Sequence, residues 1–246
     1  MTDNHHLQRI HYGITPPHEC SYLPKLEAKT LVVDPAQGRD MGVYAQLIQQ
    51  GFRRSGDSVY KPYCDTCQVC IATRLLVADF KPSRSQRRCL KMNQDVVVKI
   101  GPASFKQDHY DLYCRYLQSR HRHGGMDEST PESYMDFLSS KWSDTVFIEH
   151  WLDEILIAVA VVDWLDEGFS SVYTFFEPEL TQRGLGNFAV LWQIAECQRR
   201  QLPYLYLGYW VEDCQKMAYK KNYQPLQLWQ NDNWELMKAT TNRQNQ

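Results

Sequence analysis

The sequence predicts an α/β protein built on a mixed sheet, in which a smaller N-terminal α/β domain precedes a larger one. Three observations carry that expectation. From about residue 145 onward, short apolar strand patterns alternate with helical ones, as sheet-and-helix layering requires. The run ILIAVAVV, residues 155–162, is apolar at every position, so it reads as a strand buried on both faces. Its eight residues fall far short of the roughly 20 that a helix needs to cross a bilayer. Finally, RGLG (183–186) joins a strand pattern to a helix pattern, placing a glycine turn at a helix start.

Taken in order, TLVVD (30–34) reads as a strand, and residues 40–50 read as a helix closed by Gly51. GFRRSGDSVYKP (51–62) is a pair of extended segments around Ser55-Gly56-Asp57, and IATRLLVADF (71–80) is another strand. Pro82 stops it, and Ser83 with Gln86 three places on forms a capping box. A helix starting at Arg84 then stacks Arg84, Arg87, Arg88 and Lys91 on one face. DVVVKIGP (95–102) is a strand ending at a Gly-Pro break, which places a boundary there. This gives an N-terminal domain over 1–102, a second over 103–238 and a tail over 239–246.

In the second part, residues 106–122 form an amphipathic helix with Tyr110, Tyr113, Cys114 and Leu117 inward, ended by Gly124 and Gly125. Thr130-Pro131 opens another helix carrying Tyr134, Phe137 and Leu138 inward. Strands TVFIEHW, EILIAVAVVDWL and SSVYTFFE follow. Then come a helix over about 185–200, the strand PYLYLGYW, a helix near 212–221 and the strand QPLQLWQ.

Charge is spread unevenly. The net charge is −2, yet FKPSRSQRRCLKMN (80–93) holds five cations and no acid. Residues 144–189 hold nine acids against Arg183 alone. Such a dipolar molecule focuses a polyanion onto one face. Apolar content of 43% and charged content of 23% are ordinary for a soluble protein, so no membrane role is expected. The N-terminus MTDNHHLQRIHYG has no apolar core of a signal peptide. A cytoplasmic protein is therefore expected, and its eight cysteines read as thiols or metal ligands.

The order strand, RGLG, helix, strand, then AYKKNY (218–223) resembles the acyl-coenzyme A N-acyltransferases (GNAT fold). There a glycine loop grips a pyrophosphate. Thr181 stands where that pattern has Gln or Arg, and Asn222 where it has Gly. Glu177 and Glu179 flank the loop and would oppose a pyrophosphate, which favours a donor whose phosphates lie farther off, on the basic helix.

GFRRSGDSVYKPYC, FKPSRSQRR, SRHRHG (119–124), YTFFEP (173–178) and YLYLGYWVEDCQKMAYKKNYQP (204–225) together resemble the arginyl-tRNA–protein transferases, most closely their bacterial branch. The resemblance runs from about His11 to Met237. It implies a GNAT-like mixed-sheet acyltransferase fold that carries no coenzyme A. It also implies transfer of leucine from leucyl-tRNA to the α-amine of proteins beginning with Asp or Glu, marking them for degradation by the N-degron pathway. The donor is an activated ester and the α-amine has a pKa near 8, so positioning and an oxyanion site suffice and no added cofactor is required.

Roles follow by residue. Lys81, Arg84, Arg87, Arg88 and Lys91 would bind the tRNA backbone. Arg53, Arg54 and Lys61, with Tyr60, would hold the acceptor's acidic side chain. Gly184 and Gly186 would shape the transfer site. Glu177, matching an Asp-Pro position of the arginyl branch, would bind or deprotonate the amine. Tyr206, Tyr209 and Trp210 would line the terminal adenosine or the leucine side chain. Cys64, Cys67 and Cys70 have C-x-x-C-x-x-C spacing, and Cys20 or Cys89 would complete four thiolates for zinc or an iron–sulfur cluster. In the arginyl branch the N-terminal C-x-x-C pairs two cysteines, but here its second position is Leu23. Two other readings stand beside this one: an acetyl-coenzyme A-dependent N-acetyltransferase, and a metal-dependent RNA-binding module. Leucine and arginine are not separated by the residues alone, because leucine needs an apolar pocket and arginine an acidic one, which the acids of 144–189 could supply.

Overall fold

The computed structural model describes residues 9–120 and 129–238. The tail, the Gly124-Gly125 pair and the last four residues of SRHRHG lie outside the described residues. The first elements are β1 (Tyr12–Ile14), the short pair β2 (His18–Glu19) and β3 (Glu27–Ala28), and β4 (Thr30–Val33). Helices α1 (Pro35–Gly38) and α2 (Met41–Ile48) follow, then the hairpin β5 (Arg53–Ser55) and β6 (Ser58–Pro62). Strands β1, β4, β6 and β5 make a four-stranded antiparallel sheet in that order.

Next come β7 (Ile71–Leu76), α3 (Arg84–Met92), β8 (Val97–Pro102), α4 (Gln107–Arg120) and α5 (Pro131–Leu138). The remainder is β9 (Thr145–Leu152), β10 (Ile155–Leu165), β11 (Gly168–Phe176), α6 (Leu185–Arg199), β12 (Tyr204–Trp210), β13 (Leu226–Gln230) and β14 (Asn233–Leu236). The larger sheet runs β14-β13-β7-β12-β11-β10-β9-β8. Its β11–β12 pair is parallel and the other pairs are antiparallel, so the expected mixed α/β architecture is what the chain forms.

The division expected at residue 102 does not coincide with the division between sheets. β7, well before it, lies between β13 and β12, and β8 is the far edge strand. Gly101-Pro102 ends an edge strand, where proline's missing N–H is tolerated, rather than a domain. The helix expected near 212–221 is instead a run of 3₁₀ geometry over Gln215–Asn222.

The apolar run of β10 packs both ways. Val159 and Val161 join Leu112, Tyr113 and Tyr134 of α4 and α5, while Ala160 and Val162 join Ala189, Leu191 and Ile194 of α6. A third cluster sets Tyr44, Leu47 and Phe52 of the N-terminal part against Leu165 and Tyr206, fixing the small sheet and α2 onto the large sheet. Among the described residues no helix is long and apolar enough to cross a membrane.

Candidate active site

β11 and β12 pair over three residues only, Gly168 to Ser170 against Tyr204 to Tyr206. Beyond that point they part. Each strand carries a bulge here, β11 between Ser171 and Tyr173 and β12 between Tyr206 and Gly208. A bulge bends the strand and ends pairing. The wedge opens into a cleft of about 570 Å³, lined by Ser171–Thr174 on one wall and Leu207–Tyr209 on the other.

The glycine turn closes one end. Gly184 caps α6 with φ +61, a left-handed conformation that suits glycine. Gly186 lies so close to Phe176 that a Cβ would come within 3.2 Å of its ring. Both glycines line the cleft, and the first turn of α6 carries no acid, so its unpaired N–H groups are available to an anion or oxyanion.

The basic helix α3 sits against this turn. Its Ser83/Gln86 capping box is present. Its inner side clasps the turn: Asn93 Nδ2 donates to the Arg183 carbonyl at 2.9 Å, and Gln86 Nε2 donates to the Asn222 carbonyl at 3.1 Å. Arg183 in turn pairs with Asp95 through two bonds of 2.8 and 2.9 Å. Lys81, Arg84, Arg87, Arg88 and Lys91 remain exposed on the outer side, and none lines the cleft. The cationic stripe and the glycine turn are thus joined through one helix.

The twin arginines part company. Successive residues of β5 point to opposite faces. Arg54 is fully buried and gives Nε and Nη2 to Asp163 at 2.9 and 2.6 Å, with further bonds to Thr145 Oγ1 and the carbonyls of Gly56 and Leu138. Its guanidinium is occupied by the fold, which removes it from the expected set of substrate contacts. Both arginines border the cleft, but the guanidinium of Arg53 is not filled by the fold. It donates through Nη2 to the Ser171 carbonyl, while its buried Nη1 has no partner. Tyr60 lines the same cleft. Lys61 does not: its ammonium lies 4.8 Å over the Phe52 ring.

Glu177 also departs from expectation. It accepts from Arg115 Nε at 3.0 Å and lies outside the cleft lining. Paired with Arg115, its charge is partly balanced, which weakens its share of the opposition to a pyrophosphate at the turn, while Glu179 is exposed beside it. Of the aromatic trio, only Tyr209 lines the cleft, with its hydroxyl donating to the carbonyls of Gly51 and Tyr60. Tyr206 is core, packed with Tyr44 and Leu165, and Trp210 packs at the edge of the α6 cluster. The β12 bulge offsets their odd spacing, so Tyr206 (opposite Arg74) and Tyr209 (opposite Ala72) share a face, and Tyr209 alone lies far enough along the strand to reach the cleft.

Sequence reasoning missed Lys220. It is 6% exposed, lines the cleft and donates Nζ to the Tyr209 carbonyl. Burial and then the charge of Arg53 push its pKa down to about 7, with Cys214 pulling the other way. Lys216 adds an exposed cation at the rim. Among the described residues no Asp or Glu lines this cleft.

Cys20, Cys64, Cys67 and Cys70 all border a second cavity of about 180 Å³. Burial first, and neighbouring thiols after it, push Cys70 up to about 12, so it is a neutral thiol. A four-thiolate set has the donor chemistry of zinc or an iron–sulfur cluster. Among the described residues no three His, Cys, Asp or Glu side chains stand in metal-binding geometry. Cys89 lies elsewhere, its thiol donating to the Gly184 carbonyl at 3.6 Å.

Two stretches of the chain match the arginine-tRNA-protein transferases: residues 18–88 match their N-terminal part and residues 108–230 their C-terminal part. The chain belongs to this family. Within it, the chain is 47% identical over 231 residues to the aspartate/glutamate leucyltransferase of Marinobacter nauticus, covering 94% of this chain and 98% of that one. The enzyme of the same name from Alcanivorax borkumensis is 47% identical over 234 residues, covering 95% and 96%. That from Pseudomonas syringae is 46% identical over 228 residues, covering 93% and 97%. Among solved structures, L-PGS from Bacillus licheniformis aligns with a TM-score of 0.45 at 10% identity, over 69% of this chain and 49% of that one. Family membership makes the chain an aminoacyl-tRNA–protein transferase, and the cleft is the region where its chemistry is to be sought.

Proposed function

We propose that this protein transfers leucine from leucyl-tRNA to the α-amine of proteins that begin with Asp or Glu. One observation carries the choice of substrates: a cleft lined by cations and no carboxylate, with the buried Nη1 of Arg53 lacking a partner. A buried, unpaired guanidinium N–H is costly and is satisfied by a carboxylate, which an acceptor's Asp or Glu side chain supplies. Transferred arginine would bring a guanidinium among these cations, whereas leucine brings an apolar side chain that Val172, Leu185 and Val190 accommodate.

The tRNA backbone lies along Lys81, Arg84, Arg87, Arg88 and Lys91, and its acylated end reaches the glycine turn against which α3 packs. N–H groups at the start of α6 stabilise the oxyanion of the tetrahedral intermediate. The cationic cleft also disfavours an ammonium, so the α-amine binds in its nucleophilic, neutral form. Such an enzyme acts in the cytoplasm, where aminoacyl-tRNA is made, and its product exposes an N-terminal leucine to the degradation machinery.

The test charges tRNA with leucine or arginine and follows transfer to peptides starting Asp, Glu, Lys or Ala. Leucine transfer to Asp and Glu peptides alone is expected. Transfer to Lys peptides, or arginine moving as fast as leucine, overturns the assignment. An acetyl-coenzyme A enzyme would acetylate the peptides with no tRNA present.

A further inference from the structure

We propose that Lys220 is the proton acceptor of the transfer, taking the proton from the attacking α-nitrogen and handing it to the departing ribose oxygen. This rests on the function proposed above.

The first argument is position. A Cβ placed on Gly208 would lie 3.6 Å from Lys220 Nζ, 3.6 Å from Arg53 Nε and 3.7 Å from Arg53 Nη2. Gly208, with φ +78, provides that space on the cleft wall. The two cations therefore border one small volume. In an N-terminal Asp the side-chain carboxyl carbon is three bonds from the α-nitrogen, and in Glu it is four. A carboxylate held by Arg53 leaves the α-nitrogen beside Lys220.

The second argument is that the fold has no use for an ammonium here. Lys220 makes no ion pair among the described residues, and its polar contact is the Tyr209 carbonyl. Buried lysines are rare unless paired, and a methionine would fill the same space without a charge.

Burial, and then the charge of Arg53 facing it from β5, favour a neutral amine and outweigh two opposing contacts: Cys214 from the turn after β12, and the Tyr219 ring 5.9 Å away on its own segment. The Tyr209 hydroxyl is turned away to the Gly51 and Tyr60 carbonyls. With its pKa pushed down to about 7, the amine carries a lone pair in much of the protein at physiological pH.

The step balances. The α-amine forms a bond to the leucyl carbonyl carbon, whose π electrons move to oxygen at the start of α6. The nitrogen's extra proton passes to Lys220 Nζ. As the carbonyl reforms, the carbon–oxygen bond to the ribose breaks, and that oxygen takes the proton back from Lys220. A peptide bond, a tRNA with a free hydroxyl and a neutral lysine result.

The experiment compares wild type, K220M and K220R with leucyl-tRNA and an Asp-started peptide over pH 6–9. It reads kcat, peptide KM and tRNA affinity. Wild-type kcat should fall as pH drops across this range, with its midpoint at about 7 or above, because the acceptor's carboxylate cancels part of the Arg53 charge that holds Lys220 down. K220M and K220R should both lose roughly 100-fold or more in kcat, the usual range of general acid–base catalysis. Peptide KM and tRNA affinity should stay within about threefold. A wild-type kcat flat over the whole of pH 6–9 overturns the proposal whether or not the variants fold. So does a variant that keeps kcat within fivefold, or whose loss lies wholly in KM. If wild type transfers no leucine to Asp or Glu peptides, the function proposed above has failed instead.

Discussion

Replacing Lys220 with methionine should make the protein more stable near neutral pH, by an amount that shrinks as pH rises. The lysine's pKa is about 7 in the fold against the usual 10.5 in an unfolded chain. Between those values the unfolded state binds more protons than the native one, so the stability of wild type rises with pH across that window. The native state is thus disfavoured by about 4 kcal/mol at pH 7 and by about 1.5 kcal/mol at pH 9.5. Methionine removes that penalty, but it leaves the buried Tyr209 carbonyl without its donor, at a cost of about 1–3 kcal/mol that does not change with pH. K220M should therefore gain roughly 1–3 kcal/mol at pH 7. The cleaner quantity is the change in its advantage between pH 7 and 9.5, about 3 kcal/mol. Urea unfolding of both proteins at the two pH values measures it. An advantage that stays constant to within about 1 kcal/mol would refute the reasoning, because Lys220 would then titrate as an exposed lysine does.

Three further outcomes follow from the same geometry. R53M should raise KM for Asp-started peptides about 30-fold or more, with the Ala-started peptide little affected, since about 2 kcal/mol or more rides on a buried charge pair; equal losses for both peptides in steady-state kinetics would exclude Arg53 as the carboxylate contact. R87E combined with R88E should weaken tRNA binding and flatten its salt dependence by about one in slope for each phosphate no longer neutralised, as read by filter binding across salt concentrations. D163L should cost about 3–5 kcal/mol in chemical denaturation, because it strands the fully buried Arg54 guanidinium.

What the sequence discloses is local. The Ser83/Gln86 capping box, the two-sided burial of 156–162 and the glycine turn each follow from rules that act over a few residues, and each is present, although Ile155 at the start of the run is exposed. The parts that stay hidden depend on distant partners. Arg53 and Arg54 look alike in sequence, and only Asp163, 109 positions from Arg54, decides which of them is spent on the fold. AYKKNY stands out as a motif, but Lys220 and Lys221 are equivalent there until the 3₁₀ path buries the first and exposes the second. Tyr206 and Tyr209 read as one aromatic wall, and the bulge before Gly208 does keep them on one face, but only Tyr209 lies past the point where β11 and β12 part. The last hairpin, by contrast, carries a local signal that the sequence reading passes over. Asn231 and Asp232 both have positive φ, and such a pair is the common turn of a two-residue hairpin, which here leads into β14.

Two buried cations side by side, neither facing a carboxylate, make an arrangement the fold would not keep for its own stability. Arg54 has Asp163, whereas Arg53 and Lys220 repel each other across the space beside Gly208. An acidic acceptor changes that balance. Its carboxylate neutralises Arg53, and the charge that helps hold Lys220 below the usual lysine range is then cancelled. The amine becomes a stronger base at the moment a nucleophile is beside it. Selectivity for Asp and Glu over Ala would then lie partly in kcat and not only in KM, because a neutral side chain neither anchors at Arg53 nor raises the proton affinity of Lys220. The acceptor's own charge completes the catalytic site, and the stability given up at Lys220 is the ground state on which that coupling acts.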